Sequence, residues 1–245
     1  MSVLYGINPV TEALKAHPEK LERICVERGQ KNPRIQAAVD MARQQGVRIE
    51  FEEKSWLNRK TGGARHQGIL CYAAEMDTFE SGEILEQAKT PALLVVLDGI
   101  EDPQNLGAIL RSAEAAGADG VFLPRHRSTG ISAAVIKASA GAASHVKVCR
   151  IPNVAQFIES LKTKGFWIVG LDAGADTPIW DTDFTLPTAL ILGSEGRGLH
   201  QLVRKKCDFL VSVPIYGNVG SHNVSVAAGI ALYEAVRQRA SGGKR

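Results

Sequence analysis

From residue 92 onward the chain alternates short β-rich apolar runs with helical stretches, and this alternation leaves few folds open. The runs are "LLVVLD", "DGVFLP", "VKVCR", "FWIVGL", "TALILG" and "FLVSVP". Strands that alternate with helices in this way predict an α/β domain over 92–245, with a mostly parallel sheet covered on both faces. In open sheets of that kind, ligands gather beyond the carboxyl ends of the strands, where backbone groups and helix N-termini converge. The unusual residues of this chain are therefore sought at those ends.

Residues 1–75 read as a separate, smaller α/β unit, with strand or helix patterns in "LERICVE", "RIQAAVDMARQQG", "VRIEF" and "GILCYA". This part holds twelve basic against nine acidic residues and a Gly-rich basic loop, "RKTGGARHQG", at 59–68. The loop has two readings, a solvated surface loop or an RNA contact. Residues 76–91, acidic up to Pro91, are expected to be a linker with room for a helical turn.

At 245 residues and 44% hydrophobic content the chain can fill such cores, and a net charge of +3 permits a polyanionic partner without requiring one. Cys25, Cys71, Cys149 and Cys207 lie far apart with no CxxC pair, which predicts buried free thiols. With no signal-peptide pattern and no apolar run of about eighteen residues, a cytoplasmic protein without membrane contact is expected. The histidines show no metal-ligand spacing, so no metal is expected. "ASAGAAS" at 138–144 reads as small-residue packing, and "RHR" at 125–127 as a solvated loop or the rim of an RNA surface.

Three segments follow strands and carry polar or glycine-rich chemistry. In "GIEDPQNLGAILRSAEAAG", Asp102-Pro103 favours a turn, Asn105 is expected to cap a helix, and Gly117 ends it. Helical side chains lean toward the preceding turn, so Arg111 would pass over the small Gly107 and Ala108 toward the helix mouth. A surface arginine without a role is the competing account. In "GSEGRGL" at 193–199 the pattern is neither a Walker A loop nor GxGxxG, yet three glycines let a ligand or another backbone come close. Glu195 there could accept hydrogen bonds from a ligand, hold a neighbouring loop, or serve ordinary turn chemistry. In "GNVGSHNVSVAAGIALYEAVRQR" at 217–239, Ser221 and Asn223 are good caps for a helix beginning near Val224. Capping explains one of the polar residues at that helix mouth, and a pocket wall would explain the rest.

The order "DPQNLGAILRSAEAAG", "LILGSEGRGL" and "VPIYGNVGSHNVSVAAGIALYEAV" closely resembles the three motifs of the SpoU/TrmH branch of the SPOUT RNA methyltransferases, over about 92–240. The N-terminal part resembles the small ribosomal-protein-like substrate-binding domain of the RlmB group, the bacterial 23S rRNA guanosine-2'-O-methyltransferases. The resemblance implies an α/β catalytic domain whose C-terminal segment forms a trefoil knot, S-adenosyl-L-methionine as cofactor, a homodimer, and 23S rRNA or a ribosomal assembly intermediate as partner. It implies catalytic positions at Asn105, Arg111, Glu195, Ser221 and Asn223, and cofactor contacts at Leu192, Gly193, Gly196, Val213, Ile215 and His222. Where the family commonly has an aliphatic residue between that Ser and Asn, this chain has His222. A tRNA 2'-O-methyltransferase of the same family and a non-catalytic RNA-binding factor are the rival readings.

Overall fold

A computed structural model describes residues 2–73, 79–125 and 131–242. The chain divides into two compact units, Met1–Asp77 with Gly130–His145, and Thr78–Thr129 with Val146–Arg245.

The smaller unit begins with β1 (Ser2–Tyr5), α1 (Ile7–Ala16), β2 (Leu21–Glu27), α2 (Pro33–Gln44), β3 (Arg48–Glu52), α3 (Lys54–Lys60) and β4 (Ile69–Ala73). Its sheet has the order β1-β4-β2-β3, with β2 and β3 parallel and the other pairs antiparallel. Cys25, Leu57 and Leu70 are fully buried against Tyr5, Trp56 and Tyr72. The strands β2, β3 and β4 and the helix α2 fall where the apolar patterns put them. The patterns do not give β1, α1 or α3. The first strand is only four residues long, and α3 buries Leu57 alone. Helix α1 has no local capping signal, because the N–H of Ile7 is capped by Gln67 Oε1 at 3.0 Å, sixty residues away.

The larger unit opens with α4 (Ser81–Glu86), inside the expected linker. That segment does more than connect: Ile84 is fully buried in the large core beside Gly120, where a Cβ would stand 2.6 Å from Ile84 Cγ2. Next come β5 (Leu93–Asp98), α5 (Pro103–Ala115) and β6 (Gly120–Pro124). After β6 the chain contributes α6 (Ala133–Ala138) and a 3-10 turn to the smaller unit. Gly141 there packs on α1, and a Cβ at this position would lie 2.5 Å from Glu12 Cβ. Of "RHR", positions 126 and 127 lie outside the described residues. The larger unit resumes with β7 (Val148–Ile151), α7 (Val154–Thr163), β8 (Trp167–Leu171), β9 (Thr177–Pro178), β10 (Thr188–Gly193), α8 (Gln201–Lys206), β11 (Phe209–Ser212) and α9 (Val224–Gly242).

These strands form one seven-stranded sheet, β7-β6-β5-β10-β8-β11-β9, parallel throughout. Strands β5 and β10 are buried along their whole length, as central strands covered on both faces must be. The chain runs outward from β5 through β6 to β7, then crosses to build the other half and returns β10 beside β5. The strand order therefore reverses between β5 and β10, where a crevice opens beyond the carboxyl ends. Asp98 and Gly193 are register partners at that point.

Candidate functional site

Helix α5 starts one turn differently from the sequence expectation. Asp102, not Asn105, is its cap: the Asp102 carboxylate accepts from the N–H groups of Gln104 (3.1 Å) and Asn105 (3.2 Å), with Pro103 in the first turn. Proline suits that position because its missing N–H would have no helical partner there. With Asp102 as the cap, the Asn105 side chain is available for other bonds.

Asn105 is 6% exposed and joins a closed network. Its Nδ2 donates to Glu195 Oε2 at 2.9 Å, and its Oδ1 accepts from Asn223 Nδ2 at 2.9 Å. Asn223 Nδ2 also donates to Glu195 Oε1 at 2.9 Å. Each carboxylate oxygen thus has its own amide donor, and bonds to an ionised acceptor are stronger than neutral ones. Asn223 Oδ1 accepts from the Ser225 N–H at 3.0 Å, so the same side chain caps α9. Three segments far apart in sequence meet at one point.

The glycine loop that carries Glu195 is shaped by its backbone. Ser194 and Gly198 exchange N–H to C=O bonds of 3.0 and 2.9 Å, and Gly196 and Gly198 have φ of 82° and 66°. A Cβ on Gly193 would stand 2.2 Å from the Gly198 carbonyl carbon, so only glycine fits there. Past the loop, Asp98 is 5% exposed and holds His200 twice. Asp98 Oδ2 accepts from the His200 N–H at 2.8 Å, and Oδ1 lies 2.9 Å from its Nδ1.

Two cavities share Ser194, Glu195, Arg197 and Val224. The first, of 370 Å³, lies over the ends of β8, β10 and β11 and the start of α9. Leu192, Gly193, Gly196, Val213, Ser221 and His222 all line it. Asp172 stands at its wall, its carboxyl held below the usual carboxylate range by a hydrogen bond from Arg204, against the opposing effect of partial burial. The second, of 620 Å³, is lined by the loop from Gly99 to Asp102, by Asn105 and by His200.

The structure therefore gathers most of the positions singled out in the sequence, with two exceptions. Ile215 lines neither cavity. Arg111 is exposed on α5, and no hydrogen bond or ion pair joins it to other described residues. The His222 ring faces backbone, its Nε2 3.4 Å from the Pro214 carbonyl oxygen. Sequence reasoning missed Asp98, Asp172, Arg197 and His200. Of these, only Asp98 carried a signal, as an acid closing a buried strand. Among the described residues no group of three His, Cys, Asp or Glu could hold a metal ion, and no helix is long and apolar enough to cross a membrane.

Comparison with known proteins adds an independent line. Residues 92–233 match the SpoU rRNA Methylase family, and residues 3–78 match the family described as RNA 2'-O ribose methyltransferase substrate binding. The 23S rRNA (guanosine-2'-O-)-methyltransferase RlmB of Photorhabdus laumondii is 39% identical over 242 residues, covering 98% of this chain and 99% of that one. Among solved structures, the SpoU methyltransferase AviRb from Streptomyces viridochromogenes, in complex with AdoMet, superposes with a TM-score of 0.81 at 27% identity, covering 98% of this chain and 91% of that one. The TrmH/SpoU tRNA modifying enzyme of A. aeolicus gives 0.58 at 30% identity and covers 66% of this chain and 81% of its own.

Proposed function

Because the chain belongs to the SpoU rRNA methylase family, we propose that it methylates a guanosine ribose 2'-hydroxyl of 23S rRNA with S-adenosyl-L-methionine as donor. The observation that carries this reading is the Asn105–Glu195–Asn223 network, whose Glu195 lines both of two adjoining cavities. The match across the smaller unit favours the rRNA substrate over tRNA, since the tRNA modifying enzyme leaves a third of the chain uncovered.

The first cavity suits the cofactor. Its walls include Leu171, Leu192, Val211 and Val213 for an aromatic base, and the backbone of Gly193, Gly196 and Gly198 lines it as well. Asp172 and Ser221 offer a carboxylate and a hydroxyl to the polar parts of the ligand. S-adenosyl-L-methionine supplies a methyl group already activated on a sulfonium, so the protein's own task is alignment. Glu195, fixed by two amide donors, sets the boundary between donor and acceptor cavities. Arg111 stays protonated and cannot serve as a base; it grips a phosphate of the RNA and offsets charge developing on the acceptor oxygen. The exposed apolar stripe Val226, Ile230 and Tyr233 on α9, which packs beside α5, supports a homodimer through that face.

Transfer of label from S-adenosyl-L-methionine to unmethylated 23S rRNA and, separately, to bulk tRNA tests the reading. One labelled rRNA guanosine, lost in Arg111→Ala, is expected. Label in tRNA alone would keep the chemistry and overturn the substrate.

A further inference from the structure

A third cavity, of 230 Å³, opens beside the second at the carboxyl ends of β5, β6 and β7. The two share Gly99 and His200, so His200 borders both. The walls of the third are mostly apolar: Pro124, Pro152 and Leu202, together with the buried Val154 and Val203. Leu202 is 59% exposed. We propose that this groove takes the base of a nucleotide flanking the methylated guanosine, stacked on the His200 ring; the inference rests on the methyl-transfer reading above.

A ribose inside a stacked strand cannot reach a methyl donor held in a cavity. The target nucleotide must swing out, and the neighbour it leaves loses a stacking partner. His200 is placed to replace that partner. Its backbone N–H donates to Asp98 Oδ2 at 2.8 Å, and its Nδ1 lies 2.9 Å from Asp98 Oδ1, so the residue is held at its root and at its ring. The ring packs on Gly99, where a Cβ would stand 3.3 Å from His200 Cε1. Half of the side chain stays exposed. A flat ring held still beside an apolar wall suits an unstacked base, and every base has such faces to offer. Charge favours RNA over an apolar protein segment as the occupant. Arg125 directly follows Pro124, and Arg150 stands two residues before Pro152. Arg150 Nη1 donates to the Arg125 carbonyl at 3.4 Å, so the two residues meet at the rim. No ion pair joins either of them to another described residue, which leaves two cations for the phosphates beside the base. The acids of the β5–α5 loop, Glu101 and Asp102, line the second cavity and not this one, and Asp98 is engaged by His200.

The competing role for His200 is to pin the glycine loop to the end of β5. Two variants separate the roles: His200→Asn keeps a side-chain donor for Asp98 and loses the flat ring, whereas His200→Phe keeps the ring and loses the donor. The substrate is a 23S rRNA fragment carrying the labelled guanosine, made with the intact base or an abasic residue at each flank. For the wild type, an abasic residue at one flank is expected to raise KM about ten-fold and leave kcat unchanged. His200→Asn should show that rise on the intact fragment and no further rise on the abasic one, because both changes delete the same contact. His200→Phe should respond as the wild type does. Leu202→Ser, at an exposed position, should raise KM about three-fold and shrink the abasic effect. All three should bind S-adenosyl-L-methionine as the wild type does, since neither residue lines the first cavity. An abasic penalty of equal size in the wild type, His200→Asn and Leu202→Ser, or no penalty at either flank, would overturn the proposal. A defect in His200→Phe that His200→Asn lacks would assign the residue to loop holding and overturn it as well. A wild type that methylates no RNA at all would instead overturn the methyl-transfer reading, and this inference with it.

Discussion

The two units each hold a polar cluster around one buried side chain, His66 in the smaller and Asn105 in the larger, and the clusters are closed in opposite ways. In the smaller unit His66, 5% exposed, lies 3.0 Å from Asn58 Oδ1 and accepts at Nδ1 from the Gly68 N–H, so its partners lie eight and two residues away. In the larger unit Asn105, Glu195 and Asn223 bond across separations of 90, 118 and 28 residues. A cluster closed within one loop fixes that loop. A cluster that closes over three strand ends can form only when the sheet has brought them together, and it then fixes the relative positions of three walls of a site. The difference separates polar groups that hold a fold from those that hold a cavity.

The largest effect is expected from Gly193→Ala, which breaks the long-range cluster at its base. Its Cβ would enter the backbone of Gly198, and the loop carrying Glu195 would have to move. We expect a loss of about 3 kcal/mol in urea unfolding and no measurable binding of S-adenosyl-L-methionine by calorimetry. Normal binding would mean that the loop shape is not needed for the cavity. Glu195→Gln comes next. It sets an amide donor against Asn105 or Asn223, whose Nδ2 groups are donors already. A stability cost of about 2 kcal/mol and a fall of about 100-fold in methyl transfer are expected. Adding Asn105→Asp restores an acceptor opposite the new amide, and recovery of stability in the double variant would show that donor and acceptor matching holds the cluster together.

The same contrast explains what could be read from the sequence. The buried strands of the large sheet stand out because central parallel strands are apolar on both faces, and β5 and β10 match their apolar runs end to end. The glycine loop and the mouth of α9 were legible because their residue types are costly unless backbone or ligand comes close. The cap of α5 was misplaced because Asp102 and Asn105 are both good caps, and only the fold decides which of them is needed elsewhere. The Asp98–His200 pair left no local trace, with 102 residues between its members. Helix α1 was missed for the same reason, its cap being borrowed from Gln67.

A smaller effect tests the local cluster. Burial holds the His66 ring below its ordinary pKa of 6.5. As pH falls, the unfolded chain therefore takes up the proton before the folded one. The contribution of His66 is fully present above 6.5 and is lost as pH falls from there through the lowered folded value. Thermal unfolding followed at Trp56 is expected to show wild type and His66→Gln well separated at pH 8 and converging toward pH 5. Cofactor affinity should stay the same in both, since the cavity lies in the other unit. Curves that run parallel over that range would show that His66 does not contribute through its protonation.

The least perturbing experiment compares the units through their cysteines. Burial pushes the thiols of Cys25 and Cys149 up to about 11 and those of Cys71 and Cys207 up to about 12. At pH 8 about a thousandth of the first pair and a ten-thousandth of the second would be thiolate, against about a quarter of an exposed cysteine. Folded protein should therefore resist alkylation, and whatever labelling occurs reports opening of the surrounding core. Cys25 and Cys71 lie in the smaller unit, Cys149 and Cys207 in the larger. The smaller unit buries less of its chain and should open first, so in rising urea Cys25 and Cys71 should label before Cys149 and Cys207. S-adenosyl-L-methionine should then slow labelling of Cys149 and Cys207 alone, because a ligand stabilises the unit that binds it. Equal slowing at all four thiols would mean that the two units open together, and that the long-range cluster stabilises more of the chain than the sheet in which it sits.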